Sequence, residues 1–118
     1  MTESPLFAKS YALLRWLIPV AITFPRSHRF VLSERIQRQA LDLHETLIAA
    51  AKAEVSVPDL RRAGLALERL RFELRLAHDL GLLSHGQYRQ AAELLAEVGR
   101  LLGAWIKRDN PRQRDGEP

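Results

Sequence analysis

The sequence contains no cysteine, which removes disulfide bonds, thiol nucleophiles and cysteine-based zinc sites from consideration. Lysine is scarce as well: three of the eighteen basic side chains are lysine and fifteen are arginine. A glycine-rich phosphate loop is missing, and no serine has a histidine at a spacing that suggests a catalytic pair. We therefore expect a protein that is not an enzyme and holds no cofactor.

Long uninterrupted apolar runs are also lacking. The most apolar stretch, Tyr11 to Phe24, is broken by Arg15 and Pro19 and is shorter than the roughly 20 residues that a bilayer requires. The N-terminal residues show neither the positive start nor the apolar run of a secretory signal. The sequence predicts a buried core helix here, no membrane association and a cytoplasmic location.

Histidine is the remaining source of metal ligands. A zinc-protease motif beginning at His44 would need a second histidine at position 48, which is Ile48. His78, Asp79 and His85 are close enough in sequence to meet at a turn, and we interpret them as a hydrogen-bonded surface cluster. We expect no metal site.

The apolar pattern is helical almost throughout, and it predicts an all-α fold. Pro25 should end the first helix and Gly81 should cap the third, while Ser84 and Gln87 form a capping box that opens the fourth. The predicted helices run from about Leu6 to Thr23, from Ser27 to about Glu54, from Ser56 to about Leu80, and from Ser84 to about Lys107. Such short connections imply an antiparallel, up-down-up-down four-helix bundle formed by residues 1–107, followed by a disordered polar tail at 108–118.

Each predicted helix has apolar residues at three- and four-residue spacing, and these form the expected core. The first helix carries two such stripes and so should bury more than one face. Gly99 and Gly103, four residues apart, could allow another helix to approach closely. Together with the second stripe on the first helix, they make a subunit interface plausible. The alternative is that the glycines serve ordinary helix packing within one chain. The expected core residues are Phe7, Tyr11, Leu14, Ile18, Ala21, Leu6, Leu13, Leu17 and Val20; Leu32, Ile36, Ala40, Leu43, Leu47 and Ala50; Leu60, Ala63, Leu67, Leu70, Leu74 and Ala77; and Tyr88, Ala91, Leu95, Val98, Leu102 and Trp105.

The formal net charge is +4 and the sequence pI is about 10.1. Arginine's planar fork suits phosphates and carboxylates, although a GC-rich coding bias would also raise the arginine content. Antiparallel threading should bring Arg26, His28, Arg29, His85 and Arg89 to one end of the bundle, and Lys9, Lys52, Arg61, Arg62, Lys107 and Arg108 to the other. Acids at helical spacing predict surface ion pairs for Glu34 with Arg38, Arg38 with Asp42, Glu68 with Arg71, and Arg75 with Asp79.

The stretch F-P-R-S-H-R-F places Arg26, His28 and Arg29 where a helix begins, although cations are disfavoured at a helix N-terminus. Together with the free backbone N–H groups there, they predict a cationic corner that binds phosphate or a partner's carboxylates. The alternative is that the arginines lie over Phe24 and Phe30, or pair with acids of a neighbouring subunit.

Three blocks of the sequence resemble the accessory variability determinant (Avd) proteins of diversity-generating retroelements. They are F-P-R-S-H-R-F-V-L-S-E-R-I, L-R-R-A-G-L-A-L-E-R-L-R-F-E-L-R-L-A-H-D-L-G-L-L-S-H-G-Q-Y and E-V-G-R-L-L-G-A-W-I-K. The similarity spans roughly Leu6 to Lys107. Avd proteins are similar in turn to four-helix bundles encoded in intervening sequences of bacterial ribosomal RNA genes.

The resemblance implies a homopentameric barrel of four-helix bundles that binds the element's reverse transcriptase and template RNA, and possibly its cDNA. Such a protein supports mutagenic cDNA synthesis without catalysing it. The basic positions that the resemblance assigns to nucleic-acid or reverse-transcriptase binding are Arg26, Arg29, Arg35, Arg61, Arg62, Arg69, Arg71, Arg75 and Lys107. The predicted cationic corner adds His28, at which the family motif is less fixed. Two other hypotheses stay open at this point, a bundle of the ribosomal intervening-sequence type and a purely structural protein-protein scaffold.

Overall fold

The computed structural model describes residues 5–52 and 57–108. These residues form four α-helices and no strand, as the sequence predicts. The helices are α1 (Pro5–Ile22), α2 (Glu34–Lys52), α3 (Val57–Asp79) and α4 (His85–Arg108). The helix ends predicted at Glu54 and Ser56, and the tail beyond Arg108, lie outside the described residues, so the division into a domain and a tail stays a prediction.

The helices pack in a ring in which each contacts two others. α1 packs against α2 and α4, and α3 packs against the same two helices from the other side. The principal dimensions are 49 × 29 × 22 Å. Because consecutive helices are neighbours, the α1–α2 and α3–α4 connections lie at the same end, as in an up-down-up-down bundle.

The predicted core stripes of α2, α3 and α4 form the interior. All six predicted residues of α3 are buried, and on α4 Tyr88 alone is half-exposed. On α2 the stripe from Leu32 to Leu47 is buried, while the side chain of Ala50 lies outside the described part of the chain.

The prediction for α1 is partly wrong. Its buried face includes Leu6, Leu13 and Leu17, but Tyr11 is 56% exposed and Leu14 is only half-buried. One broad face of α1 meets α2 and α4. Phe7 and Ala21, from the same stripe as Tyr11, are buried in it, and Ile18 and Val20 are half-buried at its edges. By length and composition α1 could cross a membrane, with a mean hydropathy of 1.2 over 18 residues, but core helices pass the same test.

The α3–α4 connection has the predicted caps. Gly81 has φ 79°, the left-handed conformation that favours glycine. Two bonds of a Schellman motif run from the N–H of Leu82 to the carbonyl of Ala77 (2.9 Å) and from the N–H of Gly81 to that of His78 (3.0 Å). Every predicted signal in this turn is confirmed.

The capping box is confirmed too. The backbone N–H of Ser84 donates to Oε1 of Gln87 at 2.9 Å, and the N–H of Gln87 donates to Oγ of Ser84 at 3.0 Å. These reciprocal bonds satisfy two backbone donors that the first turn of α4 would otherwise leave unpaired.

The α1–α2 connection differs from its prediction. A 3-10 turn (Arg26–His28) and a π-helical turn (Arg29–Ser33) replace the regular start expected at Ser27, and α2 begins only at Glu34. Ser33 ties this connection to the end of α1, because its buried Oγ donates to the carbonyl of Ala21 at 2.6 Å.

Candidate nucleic-acid interface

The α1–α2 connection holds Arg26 at the surface. Its backbone is fixed on the α1 side, where Thr23 N–H and Oγ1 donate to the carbonyl of Val20 at 3.1 and 2.6 Å and Phe24 is buried. Arg26 is exposed and has no ion pair in the described part of the chain. The side chains of His28 and Arg29 lie outside the described residues, so the predicted three-residue corner remains a prediction.

At the opposite end, the first turns of α3 meet the last turns of α4, because the two helices are antiparallel neighbours. Arg61 and Lys107 are exposed there, and neither pairs with an acid among residues 5–52 and 57–108. Arg62 differs, since its Nη2 lies 3.2 Å from Oδ1 of Asp59. The two unpaired cations are therefore the better anion-binding groups at this end.

Arg71 is held in place within the bundle. Its Nη1 donates to Oε2 of Glu68 at 2.7 Å, and its Nη2 is 3.5 Å from the carbonyl oxygen of Leu95 on α4. The glycine at position 99 makes room for it, because a Cβ there would lie 2.7 Å from Nη2. Arg71 thus links α3 to α4, a role that the sequence does not reveal.

Gly99 therefore serves packing within one chain, which was one of the two interpretations of the glycine pair. Gly103 is exposed, and a Cβ there would meet nothing within 4 Å. Its surface remains open for contact with another molecule.

Arg75 borders a shallow groove between α3 and α4 with a volume of about 430 Å³. The groove also contains Phe72 and Tyr88. Arg75 is highly exposed, and its Nε is 3.9 Å from Oδ2 of Asp79, at the outer limit of an ion pair. Surface pairs of this kind contribute little stability, so its guanidinium is free to take another partner.

Arg35 of α2 and Arg69 of α3 are both exposed and flank a buried acid, Glu73. Glu73 is 6% exposed, and its Oε1 has no hydrogen-bond partner among the described residues. Burial raises the pKa of Glu73, and the positive charges of Arg35 and Arg69 oppose that rise. Sequence reasoning missed this group; its one signal is a glutamate three residues after Leu70 and next to Leu74, at the edge of the core stripe.

Comparison with protein-family models decides the family. The model described as bAvd-like matches residues 6–109 of the 118-residue chain. The chain belongs to the bAvd-like family. No curated protein matches it in a sequence search. Membership confirms the resemblance to Avd proteins and indicates an accessory role in diversity-generating retroelements, in a family that is not known for catalysis.

In this bAvd-like protein, the predicted ion pairs form in three of four cases. Glu34 with Arg38 (3.5 Å), Glu68 with Arg71 (2.7 Å) and Arg75 with Asp79 (3.9 Å) are present. The fourth was wrong, since Arg38 lies beside Glu34 rather than Asp42. An unpredicted pair joins Arg100 and Glu97 at 2.6 Å.

Of the predicted hydrogen-bonded cluster at the α3–α4 turn, the pair of His78 and Asp79 is confirmed, while His85 lies beside His78 through a ring contact. Nδ1 of His78 is 3.2 Å from Oδ1 of Asp79, and the rings of His78 and His85 have centroids 5.9 Å apart. The ring of His78 also stacks on Tyr88 at 4.6 Å. Among the residues described, no group of three or more histidine, aspartate or glutamate side chains could hold a metal ion.

A serine and a histidine that are far apart in the sequence meet between α1 and α2. Oγ of Ser10 and Nδ1 of His44 are 2.6 Å apart, although 34 residues separate them. Ser10 is buried and its Oγ also donates to the carbonyl of Phe7, so it is inaccessible to a substrate. Burial lowers the pKa of His44, and the charge of Glu45 opposes this shift. The pair is a structural contact between α1 and α2.

Proposed function

We propose that this bAvd-like protein is a non-enzymatic accessory subunit that binds the reverse transcriptase and the template RNA of a diversity-generating retroelement. It acts in the cytoplasm as a scaffold that holds template and polymerase together during mutagenic cDNA synthesis. The family match supports the accessory role. The exposed cations at the two ends of the bundle support binding through contacts with phosphates or acidic side chains.

The observation that carries the proposal is the presence of exposed cations without acid partners at both ends of the bundle. Arg26 lies at one end, and Arg61 and Lys107 lie at the other, each without an ion pair in the part of the chain that is described. An arginine that already pairs with a carboxylate gains less from a phosphate, because the first partner must be displaced. Unpaired guanidinium groups are thus the preferred phosphate contacts.

Self-assembly would strengthen this surface. In a homopentamer, five copies of a chain with a net charge of +4 bring together about twenty positive charges. Binding then depends chiefly on phosphate neutralisation, so affinity falls steeply as salt rises. Recognition of RNA shape and backbone fits this chain better than base stacking, since only 7% of its residues are aromatic.

The experiment compares two charge reversals that change the net charge equally. Arg26→Glu alters an unpaired arginine, whereas Arg100→Glu alters an exposed arginine that pairs with Glu97. Binding of the purified protein to the template RNA and to the reverse transcriptase is measured at low salt. We expect Arg26→Glu to weaken at least one of the two interactions by about tenfold, and Arg100→Glu to have a smaller effect.

Circular dichroism checks that both variants remain helical. Equal losses in the two variants would show that net charge alone matters and would remove the assignment of Arg26. If the wild-type protein binds neither RNA nor reverse transcriptase, the proposed function itself is wrong.

A further inference from the structure

The outer face of α3 carries an exposed apolar ridge. Phe72 is 67% exposed and Leu65 is 50% exposed, and Leu76 is also among the exposed large apolar residues. The spacings of seven and four residues place all three on one side of the helix, opposite the buried stripe that includes Leu67, Leu70 and Leu74. Large apolar side chains exposed along one side of a helix are typical of an interaction site.

Arginines border this ridge on both sides. Helix geometry places Arg69 on the side of α2 and Arg75 on the side of α4, within one turn of Phe72. Arg69 has no ion pair in the described residues, and Arg75 has only its 3.9 Å contact with Asp79. Glu68 is also exposed within about one turn of Phe72, but it is paired with Arg71 at 2.7 Å. The charges left open on this border are therefore those of Arg69 and Arg75, a pattern that fits a partner with an apolar centre and an acidic border.

The outer face of α2 has the complementary pattern. Leu41 and Ile48 are exposed there, one to two turns from three carboxylates. A shallow groove of about 300 Å³ lies on this face, lined by Glu34, Gln37, Arg38, Leu41, Asp42 and Glu45. Its one arginine pairs with Glu34 at 3.5 Å, which leaves Asp42 and Glu45 with no ion pair among the described residues.

We infer that the outer face of α3 in one copy of the chain docks on the outer face of α2 in a second copy. The apolar ridge around Phe72 then meets Leu41 and Ile48, and Arg69 and Arg75 face Asp42 and Glu45. This inference rests on the self-assembly part of the proposed function and identifies the surfaces that carry it. Because the two faces differ, the contact is head-to-tail, and each added copy leaves one face of each type open.

The position of the two faces on neighbouring helices has a consequence for the assembly. The outer faces of two adjacent helices in a bundle point in different directions. Each added copy is therefore rotated relative to the one before it, and the assembly curves rather than extending in a straight line. A head-to-tail contact that turns can close into a ring. Arg69 and Arg75 are then used in the assembly, and Arg26, Arg61 and Lys107 stay available for nucleic acid.

A symmetric contact between two α3 faces is disfavoured, because it would place Arg69 and Arg75 against the same arginines of the second copy. RNA is a poorer occupant as well, since phosphates cannot cover Leu65 and Leu76. These occupants become alternative outcomes of the test.

The experiment blocks one face at a time in the full-length protein. Phe72→Ser with Arg75→Glu blocks the α3 face, and Leu41→Ser with Asp42→Arg blocks the α2 face. Ile22→Ser, which alters an apolar residue on α1 whose exposure of 56% lies between those of Leu41 and Phe72, is the control. Sedimentation velocity gives the mass of each protein alone and of the two blocked variants mixed in equal amounts, and RNA binding is measured in parallel.

We expect the wild type and the control to assemble, and each blocked variant to remain a 13.5 kDa monomer with association weakened by about tenfold or more. The mixture should form a dimer of twice that mass, because one intact face of each type remains.

A blocked α2 variant that still dimerises alone would indicate symmetric contact through α3 and overturn the inference. Normal assembly of both variants would also overturn it, as would a loss of RNA binding with normal assembly. A monomeric wild type would instead remove the self-assembly part of the proposed function, and the inference with it.

Discussion

The two connections at the same end of the bundle are built differently. The α3–α4 turn uses Gly81 in the left-handed conformation and the reciprocal bonds of Ser84 and Gln87, so its backbone groups are satisfied locally. The α1–α2 connection contains consecutive 3-10 and π-helical turns and depends on a bond from Ser33 to Ala21, twelve residues away. It also exposes an arginine without an ion pair in the described chain, Arg26.

The comparison indicates different roles for the two connections. The α3–α4 turn, whose caps are as the sequence predicts, stabilises the fold, whereas the α1–α2 connection, which lacks the predicted helix start, is a candidate binding region. The structure places Arg26 in a 3-10 turn, eight residues before α2 begins at Glu34. Its exposure without an ion pair in the described residues, rather than a helix N-terminus, makes it a candidate ligand contact. Substitutions at the α3–α4 turn should therefore lower stability without affecting binding, and substitution of Arg26 should do the reverse.

The largest expected effect on stability is that of Gly81→Ala. A side chain at φ 79° is strained, and we expect the free energy of unfolding to fall by about 1.5 kcal/mol. Urea unfolding followed by circular dichroism measures it. Gly86→Ala is the control: it lies in the first turn of α4 with open space around its Cβ, and should leave stability unchanged or raise it slightly. Equal losses in both variants would show that the conformation of Gly81 is not the cause.

On the other connection, Ser33→Ala removes the bond to the carbonyl of Ala21 and leaves Nε2 of Gln37 without its 3.0 Å acceptor. We expect a loss of about 1 kcal/mol in the free energy of unfolding. Thr23→Val removes an exposed bond of the same length, to Val20, and should cost less because water can replace it. If Thr23→Val costs as much as Ser33→Ala, the long-range bond has no special role in the turn.

The pH dependence of stability should come from the body of the bundle rather than from either connection. Burial raises the pKa of Glu73, so its ionisation opposes folding, and stability falls as the pH rises above the usual glutamate range through the raised value. Glu73→Gln should increase the free energy of unfolding at neutral pH by up to about 1 kcal/mol and flatten this dependence. Glu93→Gln, at an exposed site, is the control. A loss of stability in Glu73→Gln at neutral pH would mean that Arg35 and Arg69 require the charge.

The smallest effect on stability is that expected for Arg26→Glu. Arg26 is exposed and makes no ion pair in the described structure, so unfolding should change by less than about 0.5 kcal/mol. A larger loss in the free energy of unfolding, measured by the same urea titration, would indicate that Arg26 stabilises its turn. The two connections would then not differ in their contribution to stability as proposed.

Much of the fold could be predicted because its signals are local. Gly81, Ser84 and Gln87 lie within one short segment. The six apolar residues of the α3 stripe recur at helical spacing from Leu60 to Ala77. The start of α2 at Glu34 could not be predicted, since the segment before it contacts the end of α1 through a bond from Ser33 to Ala21, twelve residues apart. The exposure of Tyr11 depends on which helices surround α1, which periodicity alone does not fix.

For the candidate site residues, too, contacts between neighbours in the sequence could be predicted and contacts between helices could not. The sequence indicated which arginines have acids at helical spacing, but not that Arg71 lies against Gly99 on another helix or that Arg35 and Arg69 flank Glu73. Such contacts depend on how the helices dock. They occupy the guanidinium of Arg71 within the bundle, whereas Arg69 makes no ion pair among the described residues.

The most direct test of the account is the salt dependence of template RNA binding by the wild type and by Arg26→Glu. The account predicts that the logarithm of the association constant falls linearly with the logarithm of salt concentration, and that the slope becomes shallower by about one in the variant. Affinity for RNA that is insensitive to salt, with the same slope in both proteins, would contradict it.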